Sequence, residues 1–140
     1  MTHATRFLTL CGLSLLACAS AWPQASMKTQ SVKDIMTTVI APATTALWGA
    51  SNVQTDAQWQ ALEQAAQLVI EAGTQIADGA GSHDAVAVNA DWQAYADEMI
   101  AAGRSALAAI QKRDEEALFN AGNDQLYPPC EGCHAQYLPK

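Results

Sequence analysis

The chain has 140 residues, half of them hydrophobic and only 15% charged, with fourteen acidic against seven basic side chains. That balance is not the composition of a disordered chain, and a net charge of −7 argues against nucleic acid or anionic lipid as a partner, since both are gripped through dense Lys/Arg patches. Alanine fills 29 positions and, with Gln, Leu and Glu, favours helix over strand, so one all-α domain is the expectation.

Residues 1–25 read as a secretory signal: a weakly basic start at His3 and Arg6, an apolar run from Phe7 to Ala17, then small residues. The run is shorter than the roughly 20 apolar residues that span a bilayer. Two processing sites compete. Ala19-Ser20-Ala21 fits the small-x-small rule of signal peptidase, whereas Leu15-Leu16-Ala17-Cys18 resembles a bacterial lipobox in which Cys18 would be lipidated. Either way the chain is expected to be exported to the periplasm, soluble or lipid-anchored. Without Arg6, six basic and fourteen acidic residues remain, a net −8, in a mature domain over 26–140.

That domain reads as four helices. After Ser31, apolar residues at Val32, Ile35, Met36, Val39, Ile40, Ala43 and Leu47 keep one helical face dry, and Ser31 with Asp34 makes a capping box. Pro42 is expected to kink this helix or end its regular part. A second helix runs from about Asp56 to Asp78, capped by Thr55 or Asp56, with Trp59, Leu62, Ala66, Val69, Gly73 and Ile76 inward. A glycine-rich loop follows to about Ala90. The third helix reaches Arg113 and turns Trp92, Tyr95, Met99, Gly103, Ala106 and Ile110 inward, with Lys112 and Arg113 complementing its dipole. The fourth starts at Asp114, Glu115 and Glu116 and meets Tyr127-Pro128-Pro129, which predicts a break or strong kink between Gly122 and Pro128 and a terminal helix over 129–138. Four amphipathic helices with short links most economically form an antiparallel up-down bundle.

The chemistry lies in Cys130-Glu131-Gly132-Cys133-His134. A C-x-x-C-H run is the pattern of c-type haem attachment: thiols three apart on a helical turn can add to the two vinyl groups of one haem, and the next imidazole can reach its iron. Three other readings compete. A structural zinc needs four ligands. A thioredoxin-like pair belongs on a βαβ unit. A plain disulfide would leave the adjacent His134 without a role.

On these residues, with Tyr137 three positions after His134 and the four-helix plan over about 27–140, the chain resembles the class II c-type cytochromes, the cytochrome c-prime group. The resemblance implies an exported four-helix bundle with one covalent haem c near the C-terminus, held by Cys130 and Cys133, with His134 as the proximal iron ligand. Two features depart from the group: the proline pair in helix four, and Leu138 where a basic residue often follows the aromatic.

The opposite face of the iron decides the function. Met36 lies about five residues into helix one, about 8 Å, and His134 about four residues from the end of helix four, about 6 Å, so an antiparallel bundle places them near one level. Met36 is therefore a candidate distal ligand, which would suit an electron carrier, or else core filler. Met99, about 13 Å along helix three, is the runner-up. Without a side-chain ligand, an apolar wall of Ile35, Met36, Val39 and Ile40 would face an open iron. In the resembled group that arrangement binds diatomic gases such as NO and CO. Tyr127 and Tyr137 flank the attachment turn and are expected to pack on the haem, whereas Trp48, Trp59, Trp92 and Tyr95 read as core. His83 is expected to be solvated, and Asp97-Glu98 and Glu115-Glu116 read as solvated faces. No catalytic constellation is evident, so no enzyme is expected. The expected partner is a redox protein with a basic docking face. An apolar face on helix one or two leaves room for a homodimer, as in the resembled group. A different class of reading is an exported helical lipoprotein whose cysteine pair serves metal or disulfide chemistry.

Overall fold

The computed structural model describes residues 30–79 and 89–138; residues 1–25, expected to be a signal, and His83 lie outside them. Regular structure in the described residues is entirely helical and groups into four helices. Helix α1 joins an α-turn Val32–Ile35, a π-turn Met36–Ile40 and an α-helix Ala41–Trp48. Helix α2 is Asp56–Ala77 and α3 is Ala90–Gln111. Helix α4 joins Glu115–Asn120, a π-turn Ala121–Leu126 and Tyr127–Tyr137.

The helix starts follow from their caps. Ser31 and Asp34 form the expected box, and Thr55 pairs with Gln58 in a second. Asn89 accepts from Asp91 N, and Asp114 from Ala117 N. The α3–α4 reversal is tight because Arg113 adopts φ 54°, so that its N–H reaches Ile110 O at 2.9 Å and Asp114 N–H reaches Ala109 O at 3.0 Å. These two bonds close the helix in a Schellman motif without the usual glycine.

The prolines do not break the helices. Helical structure continues through Pro42 and through Pro128-Pro129, and the last α-segment begins at Tyr127 instead of Pro129. Each proline follows a π-turn. Ala41 N–H bonds Met36 O and Tyr127 N–H bonds Gly122 O, five residues back in both cases. The wider turn shifts the carbonyl ladder just ahead of the ring, where a regular helix would set the carbonyl four residues back against it.

Helix α3 makes extensive contact with α4 and with α2, and glycines shape the seam with α2. It is close because Gly73 and Gly103 face large residues across it: a Cβ on Gly73 would lie 2.8 Å from Ile100 Cγ1, and one on Gly103 2.8 Å from Ile70 Cγ1. The expected stripes are buried, Trp59, Leu62, Ala66, Val69 and Ile76 on α2 and Trp92, Met99, Ala106 and Ile110 on α3; only Tyr95 is half-buried. From the flanking helices Ile35, Leu47, Leu118 and Leu126 complete the same core. None of the described helices is long and apolar enough to cross a membrane.

Candidate functional site

The last segment of α4 carries Cys130, Cys133 and His134 at i, i+3 and i+4, a spacing that sets three side chains on one side of a helix. All three line a single cavity of about 220 Å³. Helix α1 contributes Met36, Ile40, Ala41, Thr44 and Trp48 to its walls. Helix α3 contributes Trp92, Tyr95, Ala96 and Met99, while Ile76 of α2 and Pro129 complete it. One π-turn borders the cavity, with Met36 and Ile40 as its first and last residues; the other ends three residues before Pro129. Widened turns of this kind are frequent at functional sites.

The lining is strongly apolar. Thr44, only 3% exposed, turns its hydroxyl back to donate to Ile40 O at 2.9 Å and Ala41 O at 3.2 Å, so it offers the cavity a methyl group. Cys130 and Cys133 are free thiols, both half-buried. Burial pushes both up from the ordinary thiol value, and for Cys130 the neighbouring Cys133 adds to the effect. Both therefore stay protonated at neutral pH. His134 is exposed on its outer side, and its imidazole has no hydrogen-bond partner among the described residues.

The structure brings Met36 into the cavity with the three motif residues, half-buried. It also brings Met99, 5% exposed, which the helix-level argument had set aside. The cavity extends inward along α3 from Trp92 to Met99, seven residues or about 10 Å, so depth along the helix does not exclude it. Of the apolar wall expected on α1, Met36 and Ile40 face the cavity, whereas Ile35 is fully buried in the core and Val39 packs against it.

The aromatic assignments change. Tyr127 is 52% exposed and lies outside the cavity, because its place beside the π-turn directs it to solvent. Tyr137 packs edge-on against Trp92, with ring centroids 5.1 Å apart at 80°, and does not itself line the cavity. The rings that line the cavity are Trp48, Trp92 and Tyr95, which the sequence reading had placed in the core; of that set only Trp59 is purely core. Spacing carried the missing signal, since Trp92, Tyr95 and Met99 fall at i, i+3 and i+7 on one stripe. Trp48 had no such signal, and its indole is held by Nε1–H donating to Gly122 O at 3.1 Å. Glu115 also differs from its expected solvated role: its carboxylate accepts from Asn52 N and Val53 N, both at 2.8 Å, and ties the α1–α2 link to α4.

The donor set discriminates between ligands. No three His, Cys, Asp or Glu among the described residues gather as a bare metal site, so a four-ligand zinc would need groups from outside them. No strand occurs among the described residues to build the βαβ unit of a thioredoxin-like pair. The cavity instead gathers two thiols, an imidazole, two thioethers and three aromatic rings in an apolar lining. Comparison with family models, curated proteins and solved structures finds no match to this chain.

Proposed function

We propose that this chain is an exported c-type cytochrome carrying one haem, linked through Cys130 and Cys133, with His134 as the proximal iron ligand. The observation that supports it is the convergence of all three motif side chains on one apolar cavity that Met36 also lines. The haem would supply one-electron redox chemistry at iron. The chain's own contribution is to hold the two thiols protonated until they are used, to present the His134 imidazole at the cavity, and to exclude water with Ile40, Trp92, Ala96 and Met99. The antiparallel up-down order of the helices, with a bend of α4 at its prolines, belongs to the same proposal. So does periplasmic location, whether soluble or anchored through a lipid on Cys18.

Electron transfer is the preferred activity, with Met36 as distal ligand, because its side chain lines the same cavity as His134. A partner with a basic docking face would be steered by the acidic surface. The second reading, a five-coordinate iron open to NO or CO, rests on the apolar wall around Ile40 and on the alternative that Met36 is filler. One experiment separates these. Intact mass of protein from a maturation-competent periplasm must show the haem increment, and an unmodified mass would leave the cysteine-pair lipoprotein reading in its place. The reduced spectrum with and without carbon monoxide then decides between them. A low-spin spectrum that turns high-spin and CO-sensitive in Met36→Ala is expected, and a wild type already high-spin favours the gas-binding reading.

A further inference from the structure

The turn between the two thiols is seated on α3 by one side chain. A Cβ built on Gly132 would lie 2.6 Å from Tyr95 Cε1, 3.0 Å from Cζ and 3.2 Å from Oη, so no residue other than glycine fits against that ring as it stands. The same ring lines the cavity. Its hydroxyl donates to Gln136 Oε1 at 3.4 Å, and the Gln136 amide donates to Asp91 Oδ2 at 3.4 Å and Tyr137 Oη at 3.1 Å. Tyr95 thus touches α4 immediately before Cys133-His134, through Gly132, and again two residues after His134, through Gln136. Two contacts that bracket a helical turn fix its depth and its rotation about the helix axis. They leave the imidazole no freedom to swing with the backbone.

We infer that Tyr95 is a positioning residue for the proximal imidazole: it sets the depth and rotation of the Cys133-His134 turn, and through them the angle at which His134 meets the iron. The inference rests on the haem reading above. Its consequence is electronic, because the orientation of an axial ligand and the groups that hold it tune the metal they serve. A packing role alone would change stability and leave the spectrum and potential where they were.

The test uses the full chain, exported and matured, and begins with the mass of the wild type. A wild type without haem sinks the functional reading and this inference together. With haem present, Tyr95→Leu, which keeps an apolar filler but loses the ring and the hydroxyl, is expected to move the oxidised-to-reduced ratio at fixed potential about tenfold, about 59 mV for one electron, at unchanged helical content. Tyr95→Phe keeps the contact with Gly132 and should recover most of that shift. A folded Tyr95→Leu protein with wild-type potential and spectrum overturns the inference. Should Tyr95→Leu not fold, the pair Gly132→Ala and Gly132→Ala/Tyr95→Ala decides. The single change should cut covalent haem several-fold by pushing the turn off α3, and the second should restore attachment while leaving the potential shifted. Failure of the second change to restore attachment, or restoration with the wild-type potential, overturns it.

Discussion

The two sides of this molecule solve the same packing problem in opposite ways. Between α2 and α3, small residues let the helices close on each other: Ala66, Ala72, Ala102 and Ala106 are at most 1% exposed, and Gly73 and Gly103 each receive an isoleucine from the opposite helix. Between α1, α3 and α4, two π-turns widen the backbone and a cavity of about 220 Å³ remains among large side chains. The first side is finished by protein atoms alone. The second keeps open space between its helices, and it holds both thiols, the imidazole and two methionines.

The contrast is broken most severely by putting bulk into the closed side. Gly103→Leu must displace Ile70 and Val69, whose Cγ1 atoms would lie 2.8 and 3.3 Å from the new Cβ. Overpacking of this kind costs about 1–3 kcal/mol, and with two branched neighbours the upper end is expected, read as a lowered urea midpoint at unchanged slope. The same addition on the open side should have the other sign. Ala96→Leu projects into the cavity, and in protein made without haem it should raise stability by about 0.5–1 kcal/mol by filling space. In matured protein it should lower covalent haem. Stabilisation of both forms, or of neither, would remove the distinction between the two sides.

Sequence legibility divides along the same line. The closed side was readable because its apolar stripes keep the regular 3.6-residue period, so Trp59 to Ile76 and Trp92 to Ile110 fall inward as their spacing dictates. The motif residues of the open side were readable from chemistry, since two cysteines and a histidine at that spacing have few uses. Its walls were not. The π-turn shifts the register after Met36, so a stripe counted on one period places Val39 on the cavity wall, whereas it packs against the core. Tyr95 and Trp48 were missed for a related reason. An inward aromatic reads as core until the space beside it is known to be empty.

The two sides also differ in what they titrate. The closed side buries no ionisable group, whereas the cavity buries two thiols whose values are raised by burial, Cys130 further by Cys133. A thiol is neutral when protonated, so in the haem-free chain the unfolded state ionises first, near the ordinary 9.0, while the folded state still holds its protons. Folding stability is therefore complete below that pH and is lost as pH climbs through the raised folded values. Urea midpoints of the haem-free protein should fall as pH rises past 9.0, and Cys130→Ser/Cys133→Ser should flatten the fall. Matured protein, with both sulfurs bonded, should lose this contribution as well. An unchanged alkaline slope in the double variant would show that burial at the cavity wall is not what sets it.

The smallest effect tests the hinge that joins the two sides. Arg113 closes α3 with φ 54°, a conformation in which a side chain costs about 1–2 kcal/mol, and its guanidinium pairs with Asp56 on the surface at 2.5 Å. Both partners of that pair are more than half exposed, so it contributes little. Arg113→Gly removes the backbone strain and gives up the pair, while glycine's greater freedom in the unfolded chain offsets part of the gain. The balance is a stabilisation of a few tenths of a kcal/mol, seen as a small rise in urea midpoint. Because the turn fixes how α4 leaves α3 without entering the cavity, the reduced spectrum should stay unchanged. A spectral shift in Arg113→Gly would mean that the reversal at 112–114, and not the Tyr95 contact alone, sets how α4 presents His134.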